Sequence, residues 1–268
     1  MSPQTANTAA VLAGGSGTGV TPTSGGVESE TWNGTAWSPA PNMNKGRRAF
    51  GSSSQTATAS VVFGGNPVAI AETEEWNGSS WSEETNLTSG RQYIAGFGSQ
   101  TSAVGCGGYI PSQGAKTLVE EYDGSSWTAG TALPVAQYGG TGLGVSQSAG
   151  FLLYPAPSPS KQYDGTSWTD AGTLNTARGA ALSGISTAAI AFGGSTPAPA
   201  DTNVTEEYDG TTWTTIPATL ASATASHCTG FGSSTSAIRA AGTGGGGYLT
   251  ATEEYTNPTN SIQTITTS

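Results

Sequence analysis

Apolar and polar positions along this chain fall into short blocks separated by turn residues, and no long apolar pattern of helical period runs through it. One stretch reads as four such blocks in a row: residues 48–52, 58–65, 71–76 and 80–83. The next stretch repeats them at 91–98, 101–108, 117–122 and 126–129, and a later one at 178–185, 187–194, 203–208 and 212–215. Blocks of about 4–8 residues between turn signals are the mark of an all-β chain. Four short strands per period are therefore expected.

The third and fourth blocks meet at a recurring aromatic pair. Glu120-Glu121-Tyr122-Asp123-Gly124-Ser125-Ser126-Trp127 is its fullest form. Trp32-Asn33-Gly34 before Trp37, Trp76-Asn77-Gly78 before Trp81, Tyr163-Asp164-Gly165 before Trp168 and Tyr208-Asp209-Gly210 before Trp213 repeat the device. A sixth copy, Glu253-Glu254-Tyr255-Thr256, keeps the acidic pair and the tyrosine but loses the Gly and the Trp. Asp-Gly between apolar runs predicts a two-residue type I′ hairpin turn, which needs positive φ at both central positions. The first aromatics stand 44, 46, 41, 45 and 47 residues apart, and a period in the forties signals a repeat architecture. One domain over residues 1–268 with about six repeats of 41–47 residues is the expected organisation.

Composition narrows the classes further. Charged residues make up 10% of the chain and Gly supplies 40 positions, a mixture suited to short strands and tight turns rather than helix interiors. The regular placement of Trp and Tyr argues against low-complexity disorder. The net charge is −10, and basic residues cluster only at Lys45-Gly46-Arg47-Arg48. Without a basic stripe to displace counterions from phosphates, nucleic acid is not an expected partner. Residues 1–7 lack a positive n-region and an apolar h-region, so no signal peptide is expected. No apolar run reaches the length of a membrane span, so membrane insertion is not expected either. Low lysine with abundant Ser, Thr and Gly suits work outside a cell, which without a signal peptide implies release by another route such as lysis.

The glycine pairs Gly14-Gly15, Gly64-Gly65, Gly107-Gly108 and Gly193-Gly194, each ending an apolar block, together with the Glu-x-Tyr-Asp strand ends and the following Trp, resemble the kelch repeat across nearly the whole chain. Segments such as Thr205-Glu206-Glu207-Tyr208-Asp209-Gly210-Thr211-Thr212-Trp213 and Leu174-Asn175-Thr176-Ala177-Arg178 are similar to kelch-like arrays of bacteriophage structural proteins, especially marine ones. The resemblance implies a six-bladed β-propeller with four-stranded antiparallel blades. The fourth period departs from the pattern, with Leu153-Tyr154-Pro155 at the glycine pair and Lys161-Gln162 at the acidic pair. A distorted fourth blade with a specialised outer face is the expectation.

A single blade cannot bury both of its faces, so blades must stack around an axis. The chain enters part-way through a repeat, because residues 8–15 match a second strand. Residues 261–267 alternate apolar and polar positions as a half-buried strand does. This segment is expected to close the ring by pairing within the first blade, the alternative being the fourth strand of the last. Trp37, Trp81, Trp127, Trp168 and Trp213 are expected to pack between blades rather than to stack on sugars. In the acidic pairs Glu74-Glu75, Glu120-Glu121, Glu206-Glu207 and Glu253-Glu254, neighbouring side chains point to opposite faces of a strand and cannot converge on one substrate. One of each pair is expected to meet an arginine, such as Arg48, Arg91 or Arg178, from the adjoining blade.

Enzymatic chemistry finds few residues. The copper site of galactose oxidase, also built on a kelch-type propeller, needs two histidines where this chain has only His227, and zinc sites of the His/Cys kind fail on the same count. The turn Asp-Gly-Ser-Ser-Trp is one residue short of the sialidase turn, and five arginines do not furnish its carboxylate cluster. His227 and Cys228 are neighbours on a strand and face opposite ways, so a thiolate and its base are not expected there. Cys106 and Cys228 fall in distant repeats, as free and mostly buried thiols. Residues 242–247 are glycine-rich without a following Lys-Ser/Thr and are expected to form a flexible loop rather than a phosphate cradle. No cofactor and no metal are expected.

Binding remains. The longest irregular stretches, 16–27, 109–116, 155–160, 195–203 and 242–248, follow the glycine-pair position or its equivalent and are expected to emerge on one face. Candidate contact residues there are Thr21, Tyr109, Lys116, Tyr154, Lys161, Asp201 and Tyr248. The expected function is a non-enzymatic structural or adhesive protein of a phage particle, attached to capsid or tail beside other virion proteins and contacting host surface glycans. Oligomers are compatible with it, and the alternative is a secreted or surface carbohydrate-active enzyme.

Overall fold

A computed structural model describes residues 9–15, 25–155, 157–197, 200–224, 229–240, 242–244, 247–249, 251–256 and 261–265, with backbone alone at Gln55, Tyr248 and 261–265. The protein is an all-β, six-bladed propeller. In the second blade the strands run from the axis outward as Gly51–Thr56, Ala59–Phe63, Thr73–Trp76 and Trp81–Glu84, each antiparallel to the last. The third blade repeats this with Ala95–Ser99, Ser102–Cys106, Val119–Tyr122 and Trp127–Ala129. The fourth is Thr141–Gly144, Gly150–Leu153, Pro159–Tyr163 and Trp168–Thr173, and the fifth Gly179–Ile185, Ala188–Ser195, Asp201–Tyr208 and Trp213–Ile216. The sixth is Thr229–Gly232, Ser236–Ala240, Thr252–Thr256 and Ser261–Ile265. Among the described residues the first blade has three strands, Ala10–Ala13, Ser29–Trp32 and Trp37–Ala40.

The expected pairing of the C-terminal strand within the first blade does not occur. Ser261–Ile265 instead lies antiparallel to Thr252–Thr256 as the outer strand of the sixth blade. A hairpin to the adjacent edge closes a short loop, whereas crossing to the first blade would close a longer one at higher entropic cost. Side chains join the first and last blades instead. Trp37 meets Phe231 edge-on at 6.3 Å, and Ala10 and Trp32 share a core with Phe231, Ile238 and Ala240.

Six buried clusters join the six sheets pairwise, where an open row of six would share only five interfaces. In the second to sixth blades the second strand is covered on both faces, which explains why these blocks read as continuous apolar runs rather than alternating ones. The tryptophan after each turn reaches back to the preceding blade, as expected. Trp127 packs edge-on against Phe63 at 4.7 Å while its indole N–H donates to Thr73 Oγ1 (3.0 Å). Trp213 does the same with Phe151 (5.9 Å) and Ser160 Oγ (3.3 Å).

The Asp-Gly turns are not two-residue hairpins. Tyr122 pairs directly with Trp127, leaving a four-residue loop in which only Gly124 has positive φ. Asp123 Oδ1 accepts the backbone N–H groups of Ser125 and Ser126 (both 2.8 Å), so a side-chain turn replaces the backbone one.

The acidic pairs divide as their strand positions dictate. The first glutamate of each is buried and held by an arginine: Arg47 with Glu74 (2.6 Å), Arg91 with Glu120 (2.6 Å), Arg178 with Glu206, and Arg239 with Glu253 (3.7 Å). The residue is Arg47, not Arg48, and the first three come from the segment leading into the glutamate's own blade rather than from a neighbour's sheet. Each carboxylate also accepts backbone N–H groups of that segment, as Glu74 does from Asn44 (2.7 Å) and Lys45 (3.1 Å). The buried carboxylate is thus tied to the connection it anchors by charge-assisted hydrogen bonds. The second glutamate faces the next blade, where the Tyr163 hydroxyl donates to Glu121 Oε1 (2.6 Å) and the Tyr255 hydroxyl to Glu207. In the fourth blade both partners change together, to Gln137 and Lys161, so neither charge is left alone. Its distortion is confined to a register shift between Pro159 and Lys161.

Around the axis the inner strands touch through glycine. A Cβ on Gly142 would lie 2.2 Å from the Gly96 carbonyl oxygen, and one on Gly96 would lie 2.5 Å from that of Ser52. Gly142→Ala is therefore expected to destabilise by about 1–3 kcal/mol in chemical denaturation. Gly179→Ala, which meets nothing within 4 Å, should change stability by less than about 0.5 kcal/mol. Equal midpoints for the two variants would contradict this close approach.

Candidate functional site

Antiparallel order gives the ring two unlike faces. The lower face carries the short turns between first and second strands and the Asx-turn loops between third and fourth. The upper face carries the connections from second to third strand and from each outer strand to the next inner one. All the stretches singled out after the glycine-pair positions that fall within the described residues connect second to third strands and so share the upper face.

Two are more ordered than expected. Residues 109–116 contain an antiparallel ribbon of Tyr109–Ile110 with Gly114–Ala115, and the glycine-rich segment forms a second, Thr243–Gly244 with Gly247–Tyr248. The latter is a paired ribbon and not an irregular loop. Tyr248 lies in it, while Thr21, His227 and Cys228 fall outside the described residues.

Three other candidates do not line an open face. Tyr154 is buried (6% exposed) in the core between the third and fourth blades with Cys106 and Tyr163, where burial pushes its hydroxyl up to about 12. An aromatic at a glycine-pair position finds room only by turning inward. Lys161 sits within a strand and pairs with Asp170 across the sheet (2.5 Å). Asp201 opens a strand and pairs with Ser195, extending the fifth blade rather than forming loop.

Tyr109 and Lys116 remain on the upper face, and the structure adds two residues to them. Tyr93 and Tyr138 lie in the segments entering the third and fourth blades, 37% and 49% exposed. Tyr138 stands between the other two rings, 5.9 Å from Tyr93 and 5.4 Å from Tyr109, tilted about 60° to each. Three partly exposed aromatic rings at these angles form a shallow cradle.

Its backbone is tied on every side. Gln92 and Tyr109 exchange both hydrogen bonds (3.0 and 2.7 Å), Gly108 N–H donates to Gln137 O (2.9 Å), and Gln137 N–H donates to Lys116 O (3.1 Å). Tyr93 N–H donates to Ala49 O (2.6 Å) and Gly139 N–H to Tyr93 O (2.9 Å), linking three successive blades. Ala49, Tyr93 and Gly139 occupy the same place in their blades, and all have positive φ (52°, 55° and 73°). Glycine takes that conformation freely. For tyrosine it is an outlier costing about 1–2 kcal/mol.

Beside the cradle the inner strands enclose an axial cavity of about 140 Å³. Ile94 and Gly140, within two residues of Tyr93 and Tyr138, line it with Phe50, Thr141, Leu182 and Thr229. Among the described residues its walls carry no ionisable group. Burial pushes the Cys106 thiol up to about 12, so at neutral pH it is a protonated core residue. Among the described residues no group of three or more His, Cys, Asp and Glu side chains stands together as metal ligands would.

Sequence reasoning missed Tyr93 and Tyr138 because they precede the inner strands, in segments taken as scaffold. The available signal was an aromatic at a place where the other blades carry Arg48, Ala49 or glycine. No family model matches the chain, and no curated protein matches it.

The lower face is acidic by contrast. Backbone and side-chain hydrogen bonds hold the exposed carboxyl groups of Asp123 and Asp209 down at about 2, and that of Asp164 lower still. A carboxylate depressed on folding stabilises above its unfolded value, near 3.8, and loses that contribution as pH falls through its folded value. Asn33 and Asn77 occupy the same turn position without a charge, and each accepts the corresponding N–H groups. The triple variant Asp123→Asn, Asp164→Asn, Asp209→Asn should therefore keep its fold at neutral pH. Between about pH 4 and pH 2 its melting temperature should fall less than that of the native chain. Parallel curves would show that these turns do not hold their carboxylates as described.

Proposed function

We propose that this chain is a non-enzymatic structural and adhesive component of a bacteriophage particle, a kelch-like propeller attached to capsid or tail that contacts host surface glycans through its upper face. The observation that carries the glycan contact is the cradle of Tyr93, Tyr109 and Tyr138. Aromatic rings offer apolar faces to the C–H side of a pyranose and a hydroxyl to its polar edge. Rings mounted on hydrogen-bonded backbone lose little freedom on binding. Tyr93 takes the positive φ that Ala49 and Gly139 take at the same place, so a backbone conformation set by the fold presents its ring. The kelch-like repeats and their similarity to phage arrays support the particle assignment. Other proteins of the particle are the proposed partners.

Glycan-array and host-cell binding test the reading. The native chain is expected to bind, and Tyr138→Ala to reduce binding by about tenfold or more, given about 1–3 kcal/mol per stacked ring. Tyr93→Gly should lose binding while melting no lower than the native chain, because glycine relieves the backbone outlier. A blank array and unlabelled host cells would leave a purely structural role and overturn the adhesive one.

A further inference from the structure

The second residue of each acidic pair meets an aromatic hydroxyl of the next blade. Glu121 accepts from Tyr163 (2.6 Å), Glu207 accepts from Tyr255, and in the fourth blade the amide of Gln162 donates to Tyr208 (3.5 Å). Tyr122 occupies the corresponding place opposite Glu75. Its side chain is fully buried, yet its hydroxyl has no hydrogen-bond partner, and neither has the solvent-shielded Oε1 of Glu75.

The outer strand of the second blade accounts for the difference. Glu84 pairs with Thr73 and Ser82 with Glu75, so Glu75, Ser82 and Glu84 share the face turned toward the third blade. At the place of Glu84 the first, third and fifth blades carry the uncharged Ala40, Gly130 and Ile216. A Cβ on Gly130 would lie 3.0 Å from Glu121 Oε1, so a side chain at this place stands against the outward glutamate. In the second blade that side chain is another carboxylate, and Ser82 Oγ, directly across from Glu75, donates to its Oε1 (3.0 Å). Among the described residues no lysine or arginine lies within 4 Å of Glu75 or Glu84. Burial, and the Glu84 charge after it, push the Glu75 carboxyl above its ordinary value. Burial and both glutamates push the Tyr122 hydroxyl up as well. Two carboxylates sharing a half-buried site are stable together when a positive charge stands between them.

We propose that Glu75, Glu84 and the Tyr122 hydroxyl form a site for a hard divalent cation of calcium type, at the rim between the second and third blades. Every group offered is an oxygen: the free Oε1 of Glu75, the second oxygen of Glu84 and the hydroxyls of Ser82 and Tyr122. Water from the exposed side completes the set of about six to eight that calcium takes. No imidazole or thiol takes part, so softer metals are not favoured. Two carboxylates at a partly exposed site place the affinity in the range of about 0.1–1 mM. The cation ties the outer strands of the second blade to the third, as the tyrosine–glutamate bonds of Glu121 and Glu207 do for their blades. The site is separate from the aromatic cradle.

Calorimetry with calcium chloride, and thermal unfolding at constant ionic strength, test the proposal. Calcium is expected to bind at one site with a Kd of about 0.1–1 mM, and at about 10 mM to raise the melting temperature by about 3–6 °C over sodium chloride. Glu84→Gln should lose both responses and, relieved of like-charge repulsion, melt no lower than the native chain in the absence of calcium. Tyr122→Phe should weaken calcium binding about threefold or more. Glu83→Gln removes the same charge from the opposite face of the same strand and should keep both responses, which separates a bound ion from general screening of the net charge of −10. No heat of binding together with no calcium-specific rise in melting temperature would overturn the site. A rise undiminished in Glu84→Gln and Tyr122→Phe would overturn it equally.

Discussion

The wedge between neighbouring blades is the interaction on which this structure depends. A twisted sheet of four short strands has two apolar faces and no means of covering either alone. Five of the six interfaces are filled by an aromatic from one blade set against a phenylalanine of the blade before it: Trp127 on Phe63, Trp168 on Phe97, Trp213 on Phe151, Tyr255 on Phe192 and Trp37 on Phe231, while between the first and second blades Trp76 and Trp81 pack with Val11 and Ala13. Bulk at the rim and glycine at the axis give the wedge its taper. The indole N–H groups that reach Thr73 and Ser160 satisfy the polar edges of rings that would otherwise be buried at a cost. Closure follows from the same packing, because the first and last blades meet through the sixth such wedge.

Rigidity at the axis is what makes the upper face usable. The buried Arg91–Glu120 pair fixes the segment that carries Tyr93, and backbone hydrogen bonds of Gln137 to Lys116 and Gly108 hold the one that carries Tyr138. Inter-blade backbone hydrogen bonds from Tyr93 to Ala49 and from Gly139 to Tyr93 then set the two tyrosines from adjoining blades against each other. An aromatic cradle spanning two blades is only as well defined as the joint between them. The strained backbone at Tyr93 persists because the wedge below and the hydrogen bonds on both sides determine it.

Much of the scaffold was legible in the sequence because the chain states it six times. The spacing of Trp32, Trp76, Tyr122, Tyr163, Tyr208 and Tyr255 marked the blades, and the second strands were recognisable as apolar runs ended by glycine. The role of the tryptophans followed from their repetition. Choices between neighbouring positions were less legible. Arg47 and Arg48 differ only in which side of the chain they occupy, and nothing local says which one meets Glu74. The C-terminal strand has a pattern that suits either blade, and loop-closure entropy decides between them. Tyr154 and Lys161 looked like surface specialisations because they break the repeat, yet each is absorbed within its own neighbourhood. The cradle was half visible: Tyr109 and Lys116 fell on a predicted loop, but the encounter of Tyr93 with Tyr138 depends on how two blades sit together.

The most direct test of the closed ring is a double-mutant cycle across its seam, with Trp37→Ala, Phe231→Ala and the double variant compared by denaturant unfolding. Direct packing between the first and last blades predicts a coupling of about 0.5–1.5 kcal/mol, with the double variant less destabilised than the sum of the singles. Additive losses would mean that the two blades do not touch, and the ring would be open.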